Sequence, residues 1–89
     1  MQELELPEIE LEELLIESHS LIVYNDDFNT FDHVINTLIK VCKHTVEQAE
    51  QCTYLIHYKG KCAVKVGAKE DLKPMSVAIC DAGIDARII

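Results

Sequence analysis

The sequence predicts an α+β fold of order β-α-α-β-α-β: a three-stranded antiparallel sheet with three helices packed on it. Phe31, Val34, Ile35, Leu38 and Cys42 recur at helical spacing as one continuous apolar stripe. Thr45 and Gln48 have the T-x-x-Q form of a capping box, which opens a second helix directly after the first. Cys62, Val64 and Val66 then alternate with Ala63 and Lys65, the period of a half-buried strand. Helices on one face of a small sheet bury all of these stripes in two layers.

The elements follow in order. Residues 1–18 read as an acidic, mobile N-terminal extension, because the first seventeen hold seven glutamates, no basic residue and Pro7. Residues 19–89 form the single domain, with Ser20 to Tyr24 as the first strand. Asn25, Asp26 and Asp27 stop it, since their side chains bond nearby backbone and favour turns. Thr30 caps the first helix, whose other face carries Asp32, His33, Asn36, Lys40 and Lys43; His44-Thr45 breaks the run. Val46, Ala49, Thr53 and Ile56, with Cys52 and Leu55 alongside, give the second helix its apolar or small face. Gly60 ends that helix in a left-handed stop. After the alternating strand, Gly67-Ala68 turns the chain and Asp71 caps the third helix, with Pro74 in its first turn. Leu72, Met75, Ile79 and Ala82 are its buried stripe, Gly83 closes it, and Ile84 to Ile89 form the last strand.

Composition narrows the function. The net charge of −8 resides mostly in the extension, leaving nine acidic and eight basic residues in 18–89. No basic excess exists to displace counterions from phosphates, which argues against nucleic acid and equally against anionic membrane surfaces. No apolar run approaches the ~20 residues of a membrane span, and the N-terminus lacks the basic-then-apolar order of a signal peptide. Cys42, Cys52, Cys62 and Cys80 form no CxxC pair, so they read as small core residues of a protein in a reducing cytoplasm. Neither a cofactor nor a metal is expected, because no Cys/His pairing shows zinc-ligand spacing. No nucleophile–base pair stands at a recognisable spacing either.

Asn25, Asp26 and His57 are the polar residues singled out. If the second helix runs back beside the first, His57 approaches the exit of the first strand. An amide oxygen, a carboxylate and a neutral imidazole nitrogen are three acceptors, and an α-ammonium has three N–H donors. Phe31, Val34, Thr53 and Ile56 can line an apolar hollow beside them, with Asp27 and Asn29 supporting the turn. The plainer reading leaves an Asn-Asp-Asp turn and one more polar residue near a helix end.

The segments Val23-Tyr24-Asn25-Asp26-Asp27-Phe28, Val34-Ile35 with Leu38, Val46-Glu47 with Ala49, and His57-Tyr58-Lys59-Gly60-Lys61 resemble the ClpS family of proteolytic adaptors. That family shows V-N-D-D-x-x-x-x-x-x-V, a V-E-x-A helix start and H-x-x-G-K at matching separations. The resemblance runs ungapped from about Val23 to Val66. It implies a non-enzymatic, monomeric, cytoplasmic adaptor that binds the destabilising N-terminal residues Leu, Phe, Tyr and Trp. Such proteins are delivered to the N-terminal domain of a Clp-type AAA+ unfoldase working with the ClpP peptidase.

By the same resemblance Asn25, Asp26 and His57 hold the substrate amine and Val34 is a pocket wall. Phe31 stands where the family often has a gatekeeping Met, and Thr53 where it often has an apolar residue, commonly Met. Glu70 matches an acidic position that touches the unfoldase, whereas its basic partner position is Met75 here. The acidic extension corresponds to the arm the family uses in delivery. A ribosomal-stalk-like structural domain and a small metal-binding domain stay open as alternatives.

Overall fold

The structure is a computed structural model that describes residues 18–89. Its elements are β1 (Ser18–Tyr24), α1 (Phe31–Cys42), α2 (Val46–Lys59), β2 (Lys61–Ala68), α3 (Lys69–Asp81) and β3 (Ala86–Ile88). They reproduce the expected β-α-α-β-α-β order. The three strands form one sheet in the order β2-β1-β3, and both pairings are antiparallel. The acidic segment of residues 1–17 and the arm role expected of it lie outside the described residues. Ser18, counted with that segment in the sequence, is the first residue of β1 and pairs with Ala68.

Leu21 and Val23 of the central strand are fully buried against Val34 and Leu38 of α1, Ala49 and Ile56 of α2, and Leu72 and Ile79 of α3. Removing the side chain of a residue as enclosed as Leu38 costs about 2–5 kcal/mol. Both expected N-caps on the first two helices form. Thr30 Oγ1 accepts from the His33 N–H at 3.1 Å, and Thr45 and Gln48 make the reciprocal capping box.

The last strand is shorter than the expected Ile84 to Ile89, running only over Ala86–Ile88, and four further details differ from the sequence reading. A register shift opposite Leu21/Ile22 pairs Lys65 with Leu21 and Ala63 with Ile22, which leaves Val64 as an extra residue on β2. Beyond this bulge the alternation inverts. Val66 is exposed rather than buried, while Lys65 turns inward and donates from Nζ to the Cys42 carbonyl at 3.1 Å.

Gly67 and Ala68 do not turn the chain; they continue β2, which runs directly into α3. Ala68 is the N-cap and makes no side-chain bond, so Asp71 sits inside the first turn, where it complements the helix dipole. Pro74 consequently lies in the second turn and forfeits a helical N–H bond to the Glu70 carbonyl.

On α2 only Ala49, Thr53 and Ile56 are buried. Leu55 projects to the opposite side and Val46 occupies the open first turn, and both are exposed. Among the cysteines Cys42 is buried, Cys52 and Cys62 are half-buried, and Cys80 is exposed at the end of α3. Burial pushes the Cys52 thiol up to about 12, reinforced by the neighbouring Cys62 thiol, so it stays protonated and unreactive.

His44 does more than break a helix. It is buried, and its Nε2 donates to the Val64 carbonyl at 2.7 Å, pinning the turn between α1 and α2 to the bulge of β2. Its Nδ1 has no partner among the described residues.

Candidate functional site

Three tethers fix the segment that leaves β1. The Asn25 backbone N–H donates to the Gly60 carbonyl at 2.8 Å, and the Tyr24 N–H donates to the Asp85 carbonyl at 2.9 Å. The third runs through a side chain: Asn29 Nδ2 donates to the Gly83 carbonyl at 2.9 Å. The end of α2, the end of α3 and the approach to β3 are thereby gathered around one turn. His33 Nε2 adds a bond of 2.8 Å to the Ala82 carbonyl, fastening α1 to the same corner.

The turn itself is built on Asp26. Its Oδ1 accepts from the backbone N–H groups of Phe28 at 2.9 Å and Asn29 at 2.8 Å. Its Oδ2 accepts from Asn29 Nδ2 at 2.6 Å, so both amide hydrogens of Asn29 are spent, one on Asp26 and one on Gly83. The Asn29 N–H, followed by the Phe28 N–H, the Asn29 side chain and nearby His33, holds the Asp26 carboxyl below its ordinary range against a partial burial penalty. An ionised carboxylate has about four lone-pair sites. Three are occupied here, which leaves one for a donor arriving from outside.

Between this turn and α2 opens a cavity of about 350 Å³. Val23 and Ile84, both buried, and Val34, Thr53 and Ile56 give it apolar walls; Asn25, Asp26, Asp27, Asn29, Thr30 and His57 give it a polar margin. Every residue that the sequence named for amine binding, hollow and turn support therefore lines one space. Thr53 is 2% exposed and its hydroxyl donates to the Ala49 carbonyl at 2.7 Å, so that donor is already engaged. Phe31 stands edge-on to His57, with ring centroids 5.1 Å apart and an interplanar angle of 80°. Asp27 is exposed and its side chain makes no hydrogen bond among the described residues, so the turn is supported by Asp26 and Asn29 rather than by Asp27. Glu70 is exposed in the first turn of α3, away from the cavity.

Tyr24, Thr30, Val23 and Ile84 were not named from the sequence as lining residues. Val23 was legible only as an inward strand position, and Ile84 only as an apolar residue after Gly83. Neither has a local signal for a cavity, because the space exists only once β1, α1, α2 and the approach to β3 meet.

The arrangement gathers a carboxylate, an amide and an imidazole beside an apolar recess. It suits a ligand that carries an ammonium next to an apolar side chain.

A family model described as ATP-dependent Clp protease adaptor protein ClpS matches residues 16–83 of the chain. The ClpS adapter protein of Thermosynechococcus vestitus is 37% identical over 68 residues, covering 75% of this chain and 72% of that protein. The ClpS adapter protein of a Nostoc species is 43% identical over 54 residues, covering 60% of this chain and 56% of the relative. Among solved structures, Agrobacterium tumefaciens ClpS2 bound to L-phenylalaninamide matches with a TM-score of 0.75 at 16% identity, over 82% of this chain and 95% of that one.

Proposed function

Since the chain belongs to the ClpS family of Clp protease adaptor proteins, we propose that it is a non-enzymatic adaptor that captures proteins by a destabilising N-terminal residue. Leu, Phe, Tyr or Trp enters the cavity, and the protein so held is presented to the N-terminal domain of a Clp-type AAA+ unfoldase with its ClpP peptidase. The observation that carries this reading is the convergence of Asn25, Asp26 and His57 on the margin of a recess walled by Val34, Thr53 and Ile56.

The chemistry divides into two parts. The substrate's α-ammonium gives one N–H to the Asn25 amide oxygen, one to the last free lone pair of Asp26 and one to a neutral ring nitrogen of His57. Its side chain fills the recess, where full burial of a Phe or Leu is worth roughly 1.5–3 kcal/mol. The L-phenylalaninamide bound by the ClpS2 relative has these same two features, a free amine and an aromatic side chain. Glu70 supports the unfoldase contact from α3, a face that leaves the cavity open while the adaptor is docked.

The adaptor works as a cytoplasmic monomer in this reading; no helix of the described residues is long and apolar enough to cross a membrane. Fluorescence anisotropy with a short labelled peptide beginning Phe tests it directly. Saturable binding that a free Leu-initiated peptide displaces is expected, and no binding of either peptide overturns the proposal.

A further inference from the structure

The helices pack on one face of the sheet, where Leu21 and Val23 meet them. Alternation along β1 therefore sends Ser20, Ile22 and Tyr24 to the other face. The register sets Val66 beside Ser20, Ala63 and Arg87 on either side of Ile22, and Lys61 beside Tyr24. Ile89 belongs to the same face, since it and Ser20 exchange both backbone bonds, at 3.1 and 2.9 Å. Val66 is 62% exposed and Ile89 68%, and Ala63 is exposed with them. Ile22, on the central strand between them, is buried yet stands outside the core cluster. The charges of this face are Lys61 and Arg87; the guanidinium lies 5.4 Å from the centre of the Tyr24 ring, and its Nε is 3.6 Å from Asp85. None of this surface is used by amine capture.

We propose that residues 1–17 fold back over this outer face, seating Leu11, Leu14 and Leu15 on Ile22, Ala63, Val66 and Ile89 with their glutamates toward Lys61 and Arg87. The proposal does not rest on the amine-capture reading. Composition is the first argument for this occupant. Seven of the seventeen residues are Leu or Ile, whereas segments that stay solvated are poor in such side chains. Leu11, Leu14 and Leu15 also stand at i, i+3 and i+4, the spacing that shares one side of a helical turn.

Charge and reach point the same way. The segment holds seven glutamates and no basic residue, and the face it would cover carries two cations against the single Asp85. It is joined to the face directly, because Ser18 begins β1. Leu11 lies seven residues before Ser18, within ~25 Å even when fully extended. From Ser18 to Tyr24 the face is six residue steps long, or ~20 Å. A short tether also holds the segment at an effective concentration in the millimolar range, which favours it over a second copy of the chain.

Two measurements on the full chain test this. Methyl–methyl NOEs are expected between leucines of residues 1–17 and Ile22, Val66 or Ile89. A glutamate-specific protease reads the same contact as protection of Glu10, Glu12 and Glu13. Val66→Asp/Ile89→Asp leaves those cleavage sites as they are and should be cut there at least ~10-fold faster, since the open population grows by that factor for every ~1.4 kcal/mol of lost closure. Both replaced side chains are exposed, so the variant should melt with the parent. Val66→Thr/Ile89→Thr, which keeps β-branched strand formers, should show a smaller rise and serves if the aspartate variant does not fold. Equal cleavage of parent and variants, or no such NOE in the parent, overturns the proposal. A parent that sediments as a dimer, with the NOEs arising only between differently labelled chains, gives the face to a second copy and overturns it as well.

Discussion

Asn25 and Gly60 are joined by a backbone hydrogen bond of 2.8 Å, from the N–H at the exit of β1 to the carbonyl at the end of α2. Gly60 has φ +88°, and its N–H closes the helix on the Ile56 carbonyl. A left-handed residue at that point turns the chain straight from α2 into β2 and brings His57 to the side of Asn25. Space does not require glycine, because a Cβ there would meet nothing within 4 Å. The dihedral does.

Gly60→Ala should therefore lower stability by about 1–2 kcal/mol and weaken peptide binding beyond what the loss of folded protein explains. Gly60→Asn, whose side chain tolerates the left-handed region, should recover most of both. Denaturant melts and anisotropy on the two variants check this; an alanine variant with full stability would show that φ is not the constraint.

The Asp26 carboxyl is held below its ordinary range, first by the Asn29 N–H. A depressed folded-state value means that its stabilisation of the turn is complete above the unfolded pKa of about 3.9. It is lost only as pH falls through the lower folded value. The amide protons of Phe28 and Asn29 should thus titrate together in NMR with a midpoint under about 3.9. In Asn29→Ala the midpoint should rise, because the side-chain donor is gone while both backbone donors remain. A midpoint at or above the free carboxyl value would detach Asp26 from the turn.

Much of this was legible from local patterns. The Thr30 cap, the Thr45–Gln48 box and the Gly60 stop are short-range signals, and each formed as read. The misread strand face and helix cap depend on pairing between distant segments. Nothing within residues 61–68 reports that Val64 is the extra residue opposite Leu21/Ile22, so alternation alone set Val66 inward. The Asp71 cap failed because β2 runs on through Ala68 with its partners on β1, and propensity yields to pairing. For the site, the donor and acceptor residues were readable and the floor was not, since Ile84 joins it only through the tethers around Asn29 and Asp85.

Delivery can be separated from recognition. All cavity residues lie downstream of residue 22, and the seven glutamates lie upstream of β1. Removal of residues 1–17 should leave peptide affinity within error and impair degradation of a Phe-initiated substrate by the unfoldase and peptidase. Lost peptide affinity in the truncated chain would make the segment part of the site.

The recess should rank side chains by shape. Phe31 is a stiff rim residue and Thr53 a small wall whose hydroxyl is already bonded, so Leu and aromatic residues should bind and β-branched Ile and Val should bind poorly. Thr53→Met fills space and should disfavour Trp most. Thr53→Val, nearly isosteric, should leave the ranking intact. Competition anisotropy across Phe-, Leu-, Trp-, Ile- and Val-initiated peptides reads this out, and an unchanged ranking in Thr53→Met would remove Thr53 from the wall.

The amine is the most demanding test. Acetylation removes the charge and all but one of its donors, and adds bulk where Asn25, Asp26 and His57 converge. Hydrogen bonds to charged groups are worth about 1.5–3 kcal/mol each, so an Nα-acetylated Phe peptide should bind at least ~100-fold more weakly, about 2.7 kcal/mol. Asp26→Ala is a poor probe of this contact, since it also frees the Phe28 and Asn29 N–H groups and loosens the turn. Asn25→Ala is cleaner. The tether to Gly60 uses only the Asn25 backbone, so the variant should fold as the parent does and lose about tenfold or more in affinity, the worth of one charge-assisted bond. His57→Gln keeps an acceptor and should lose less than His57→Ala. If the acetylated peptide binds as tightly as the free one, the three residues do not hold an amine.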